Sequence, residues 1–151
     1  MKHSDKTIEY IKLLKEYNSH TNIYSSKSYD KLDFHIEDSI NIAKLIPNTN
    51  NTTTLDLGSG SGLPCILISI TNPNTQIIAI DSKSKKTNFL TLVKKELQLN
   101  NLTIINENIH TEIPRINEEI NYITAKAFAP YEKIKRIIEK LKIQNKKKLI
   151  I

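Results

Sequence analysis

Glycine is scarce in this chain: three residues in 151. Cysteine is scarcer still. Cys65 stands alone, which excludes an internal disulfide framework and a multi-cysteine zinc site. Arginine occurs only at Arg115 and Arg136. No apolar run nears the roughly 18 residues that a membrane span needs; the apolar stretch at positions 66–70 is short and broken by Ser69. No apolar stretch of the secretory kind follows the first residues. These absences predict a cytoplasmic protein that uses neither membrane nor metal.

What is present is ordinary for a folded protein. Hydrophobic residues make up 38% and charged residues 25%, enough to predict one globular domain rather than disorder. The net charge is +6 and the isoelectric point near 9.3. Such a surface suits a polyanion, nucleic acid above all. Abundant Ile, Asn and Lys with little Arg also fits the codon usage of an AT-rich genome, which is the competing origin of the lysines.

Periodicity divides the chain. Ser4 is placed to cap a helix with Ile8, Ile11 and Leu14, then Tyr10, Leu13 and Tyr17, at spacings of three and four. Ser28 is placed to cap a second helical region with Tyr29, Leu32, Ile36, Ile40 and Ala43, breaking near Phe34. From residue 48 the pattern changes. Strands are predicted at 54–57, 76–80, 102–105, 120–125 and from 147 on, and helices at 63–70 and 85–99. A last helix follows Pro130, carrying Ile134, Ile137, Ile138 and Leu141. Strands alternating with helices predict an α/β fold, a doubly wound, mainly parallel, Rossmann-like sheet with helices on both faces. Residues 1–47 are expected to form a small helical addition packed on a 48–151 core.

All three glycines fall in one heptapeptide, Asp56-Leu57-Gly58-Ser59-Gly60-Ser61-Gly62, directly after the first strand and before a helix. Glycines let backbone approach a ligand closely, and in a doubly wound sheet this loop opens on the crevice where ligands bind. A dinucleotide loop would carry glycine where Leu63 stands, and no Lys-Ser/Thr pair follows to make a Walker A loop. Asp56 precedes the glycines, and Asp81 ends the second strand, placed to take both ribose hydroxyls. A carboxylate, three glycines and a ribose-binding carboxylate predict S-adenosylmethionine, with its cationic methionine end near Asp56.

At this point the residues resemble a family. Asp56-Leu57-Gly58-Ser59-Gly60-Ser61-Gly62-Leu63-Pro64 is similar to the cofactor loop of the bacterial glucose-inhibited division protein B family. Tyr17-Asn18 with Thr21-Asn22-Ile23 resembles its Trp-Asn…Tyr-Asn-Leu-Thr stretch, and His35-Ile36-Glu37-Asp38-Ser39-Ile40 its His-x-x-Asp-Ser-Leu motif. Asp81-Ser82 with Lys85-Lys86 and Phe89-Leu90 resembles its second-strand carboxylate and basic helix start. Thr124-Ala125-Lys126-Ala127-Phe128-Ala129 resembles its Ser-Arg-Ala-Phe-Ala motif. The resemblance implies a class I methyltransferase that modifies N7 of one guanine in 16S ribosomal RNA, free or in the small ribosomal subunit. It implies cofactor contacts at Gly58, Gly60 and Leu63, at Asp81 on the ribose, at Ile109 and His110 beside the adenine, and at Lys126. Lys126 replaces an arginine of the family, His110 a glutamate, Phe34 an arginine and Cys65 a glycine. An ammonium does not reproduce the planar fork of a guanidinium.

Guanine N7 has a free lone pair, so its methylation needs positioning and no general base. His35 and Asp38 are accordingly expected to join the helical region to the sheet by a hydrogen bond rather than act as an acid–base pair. Lys85 and Lys86, with Lys83 and Lys126, are the candidates for RNA phosphates. Phe128 is either the flat partner of a looped-out guanine or a core residue. Lys146-Lys147-Lys148 reads as a solvated approach to the last strand. The sequence stops in the apolar Leu149-Ile150-Ile151, where the family continues into a strand hairpin. That ending, with Lys126, keeps open a non-catalytic nucleotide-binding remnant; a methyltransferase acting on a small molecule or a protein is a second alternative, against which the basic charge argues.

Overall fold

In the computed structural model the described residues are 2–141 and 148–150. Lys146, Lys147 and Ile151, and with them the ends of the expected last strand, lie outside that range. Five strands make one sheet in the order β3-β2-β1-β4-β5, every pair parallel. They are β1 Thr53–Leu57, β2 Gln76–Asp81, β3 Leu102–Asn106, β4 Tyr122–Thr124 and β5 Lys148–Ile150. Leu55 faces Ile78 and Leu57 faces Ile80, so the first two strands are adjacent as expected. No helix among the described residues is long and apolar enough to cross a membrane.

Strand periodicity sorts the core into two faces. Ile77 and Ala79 point to one cluster, Ile78 and Ile80 to the other. The first face is covered by α1 Asp5–Asn18, α2 Leu32–Lys44, α3 Cys65–Thr71 and α4 Ser84–Glu96, through Tyr10, Leu14, Ile36, Ile66 and Phe89. The second is covered by α5 Tyr131–Lys140, through Ile134 and Ile137. Beside α5 lies the connection from β3 to β4, which supplies Ile109, Ile116 and Ile120 where a helix is usual in such folds.

Each helix boundary has a local cause. Ser4 caps α1 by accepting the Thr7 amide at 3.2 Å. A 3-10 turn over Ser26–Lys31 precedes α2, so the break lies at Leu32 and not at Phe34, which points into solvent. The expected helix at 63–70 begins two residues later, at Cys65, because Pro64 disfavours helical backbone in the residue before it. The helix expected to run to residue 99 ends at Glu96. Gln98 takes the left-handed conformation (φ 53°), and the Gln98 and Leu99 amides return to the carbonyls of Lys95 and Lys94. That is a Schellman stop with glutamine in glycine's usual place.

Two asparagines that read as turn residues are buried brackets. Asn101 donates to the carbonyls of Ser69, Asn72 and Thr75, and its Oδ1 accepts from Ser69 Oγ at 2.6 Å. Asn72 Nδ2 donates to the carbonyls of Ala43 and Ile46, each at 2.9 Å, tying the end of α2 to the end of α3. In Asn72→Ala, Ile46 O loses its side-chain partner, whereas Ala43 O keeps the Ile46 amide. We expect a loss of about 2 kcal/mol, the cost of a stranded buried polar group, seen as a lowered urea midpoint with an unchanged slope.

Candidate functional site

The sheet order reverses between β1 and β4, and ligands in doubly wound sheets bind at the carboxyl ends of the strands flanking such a point. The loop after β1 is locked in place there. Its three glycines all have positive φ. The Ser59 amide donates to Ile80 O, the Gly60 amide to Asp81 Oδ2 at 2.8 Å, and the Gly62 amide to Ser59 O. From behind, the fully buried Tyr10 of α1 donates its hydroxyl to Ser61 O at 2.8 Å. Burial, before any other influence, pushes the Tyr10 phenol well above its ordinary range, so it stays a donor.

A cleft of about 240 Å³ opens beside this loop. Gly58, Asp81, Lys83, Lys86, Glu107, Ile109, His110 and Phe128 are among its walls. Asp81 Oδ1 takes the Lys83 amide at 2.9 Å, so each of its oxygens holds one backbone donor and keeps a lone pair free. Glu107, which sequence reasoning passed over, has a buried Oε2 without a hydrogen-bond partner. Its signal was its place just beyond the carboxyl end of β3. Phe128 lies flat against His110, ring centres 5.2 Å apart and planes within 3°. It also rests on Gly58, where a Cβ would come within 2.2 Å of Phe128 Cδ2. Partial burial and then the Lys133 charge lower the His110 pKa, which favours the neutral ring at pH 7.

Asp56 lies beneath the loop, 1% exposed. Thr124 Oγ1 donates to its Oδ1 at 2.5 Å, while Oδ2 has no hydrogen-bond partner. Burial pushes its carboxyl up to about 6, against the lowering effect of the Thr124 hydroxyl and of the nearby Ser59 and Cys65 side chains. Cys65 is buried against it, and that burial, then the Asp56 charge, holds the thiol protonated.

Of the expected site residues, Gly58, Asp81, Lys86, Ile109, His110 and Phe128 meet on this cleft, and Gly60 is held against Asp81. Leu63, Lys85 and Lys126 do not line it. Leu63 packs on the first core cluster, and Lys85 faces a neighbouring groove. Lys126 precedes Ala127, whose left-handed backbone (φ 49°) separates the two side chains that flank it. Phe128 reaches the cleft, and the Lys126 ammonium sits 2.6 Å from Asp38 Oδ2 on α2. That contact lies at ion-pair distance but off the direction of a hydrogen bond. Among the described residues no cluster of His, Cys, Asp and Glu is suited to a metal ion.

Residues 3–151 match the GidB family model, rRNA small subunit methyltransferase G. The chain belongs to this family. A relative from Fusobacterium nucleatum, named ribosomal RNA small subunit methyltransferase G, is 37% identical over 103 residues, 68% of this chain and 44% of the relative. A Pseudomonas putida protein of the same name is 34% identical over 131 residues, 86% of this chain and 59% of that one. The chain thus spans about half the length of these curated relatives. Its fold is similar to that of a SAM-dependent methyltransferase from Aquifex aeolicus, with TM-score 0.58 and 18% identity over 78% of this chain and 67% of that one.

For this GidB family member, the motifs that carried the resemblance meet in space. Asp38 of the His35–Asp38 stretch pairs with Lys126 of the stretch after β4, so the helical region is joined to the sheet by an ion pair. His35 serves otherwise. Its backbone carbonyl takes Ser39 Oγ at 2.7 Å, and its ring stands edge-on to Tyr24. Burial, then the Lys126 charge, lowers its pKa.

Proposed function

We propose that the chain is the cofactor-binding part of an S-adenosylmethionine-dependent methyltransferase that modifies N7 of a guanine in 16S ribosomal RNA, in the cytoplasm. The observation that carries this reading is the glycine loop locked onto Asp81 at the switch point, in a chain of the GidB family. The residues present fit the cofactor. The free lone pairs of Asp81 suit two ribose hydroxyls, and Ile109 with His110 offers an apolar wall and a flat ring for adenine. Glu107 Oε2 is free to accept an N–H from the ligand. Gly58 and Gly60 offer backbone with no side chain in the way, once the Phe128 ring shares or leaves its seat on Gly58. Residues 1–47 brace this core through Tyr10 and Asp38.

When bound, the cofactor supplies an electrophilic methyl group on a sulfonium. Guanine N7 attacks with its own lone pair, so the chain's residues have no proton to move at the reacting atom. Their work is to fix the two partners in line and to exclude water. Lys85 and Lys86 hold RNA phosphates, and Phe128 gives the extruded base a flat surface.

The test begins with calorimetry. S-adenosylmethionine should bind the wild type, and Asp81→Ala should weaken it by about 1.5–3 kcal/mol, the scale of hydrogen bonds to a charged group. Transfer of labelled methyl to unmodified 16S rRNA, mapped to guanine N7, completes it. Equal cofactor affinity in both proteins, or label on another atom or molecule, overturns the reading.

A further inference from the structure

Beside the cofactor cleft lies a second one of about 480 Å³, between the segment 22–27 and the start of α4. Lys27, Lys83, Lys85 and Lys86 line it, with Tyr24. Lys83 and Lys86 also line the cofactor cleft, so the two adjoin at these side chains. Among the described residues none of these four lysines has a carboxylate within ion-pair distance. Like charges gathered without counter-ions repel one another, and an anionic ligand relieves that cost.

The opposite wall is built rather than loose. Asn18, the last residue of α1, holds it at four points. Its Oδ1 accepts the Ile23 and Tyr24 amides at 3.0 Å each, and its Nδ2 donates to Tyr24 O at 2.8 Å and to the Tyr29 hydroxyl at 2.7 Å. Tyr24 stacks on Tyr29, ring centres 5.8 Å apart and planes 16° apart, and its hydroxyl donates to Ser28 O. A polar segment fixed this way loses little further entropy when a ligand arrives.

We propose that this second cleft is the subsite for the phosphodiester backbone of the RNA substrate, with Lys27 and Lys85 facing phosphates and Tyr24 beside them as a ring for an adjacent base. The proposal rests on the methyltransferase reading and names where its substrate lies. Uncompensated cations with an aromatic ring among them fit single-stranded RNA, whose bases stack and whose phosphates repeat. The shared Lys83 and Lys86 bring this groove beside the cofactor cleft, so a strand held here has one base within reach of it. An acidic protein surface would meet the same charges without needing the cofactor cleft beside them.

The experiment is a salt series of filter binding, from about 50 to about 200 mM, with polyuridylate and with an unmodified 16S rRNA fragment. Wild type is compared with Lys27→Ala, with Lys27→Ala/Lys85→Ala, and with Lys94→Ala/Lys95→Ala at the far end of α4. The slope of log affinity against log salt should shallow by about 0.7 per lysine removed, so by about 1.4 in the first pair, and stay at the wild-type value in the second. S-adenosylmethionine affinity should be unchanged in all of them. Equal effects of the two pairs would mean diffuse net charge and overturn the proposal. Polyglutamate binding tighter than RNA, with the same lysine dependence, would overturn it in favour of an acidic protein partner. Lysine-dependent RNA binding without cofactor affinity would sink the methyltransferase reading and leave the cleft standing.

Discussion

Gly62→Ala is expected to cost about 4 kcal/mol, a large part of the stability of a domain this size. Two costs add. At φ +100° an L side chain is strained, by about 1–3 kcal/mol. The new Cβ would also lie 2.4 Å from Ile66 Cγ1 and 3.2 Å from Leu90 Cδ2, both fully buried residues of α3 and α4. Overpacking of a filled core costs about 1–3 kcal/mol more, because neither residue has room to retreat. Gly60→Ala is the matched control in the same loop. Its φ of +57° lies in the common left-handed region, and its Cβ would meet only Gly58 O at 3.7 Å and Lys86 Nζ at 3.8 Å. It should cost about 1–2 kcal/mol. Urea unfolding of the two variants decides the matter. Equal midpoints would show that the clash with α3 and α4 does not govern Gly62.

The strands were legible because each is a short apolar run whose alternate residues bury on opposite faces, as Ile77 and Ile78 do. The loop was legible because this chain confines its glycines to it, at the carboxyl end of β1. What escaped depends on contacts between distant residues. In a chain so rich in asparagine, Asn18, Asn72 and Asn101 look alike in sequence. Only the packed structure separates a solvated turn from a side chain that meets buried carbonyls. Lys126 was placed correctly after β4, yet one left-handed residue beside it decides that it meets Asp38 and that Phe128 takes the cleft. For the β3–β4 connection the resemblance implies cofactor contacts at Ile109 and His110. The parallel seating of His110 on Phe128 came from no pattern in either segment.

Asp56 should make stability depend on pH in the sense opposite to ordinary acid unfolding. Its carboxyl is buried with one oxygen unpartnered, and burial raises its pKa from 3.8 to about 6 in the folded chain. Between those values the folded state holds more protons at this site than the unfolded state does. Stability contributed by this group therefore falls as pH rises through the window from about 4 to about 6, and is level above it. The displacement corresponds to about 3 kcal/mol. Other carboxylates add their own slopes, so the measurement is a difference. Asp56→Asn keeps the size of the side chain and an oxygen for Thr124 and cannot ionise. Unfolding free energies of the two proteins, taken by urea from pH 4 to pH 8, should diverge across the window, with the wild type losing about 3 kcal/mol relative to the variant by pH 7. Parallel curves from pH 4 to pH 8 would mean that Asp56 ionises as easily when folded as when unfolded, with water or a shifted neighbour satisfying the oxygen that has no partner in this structure.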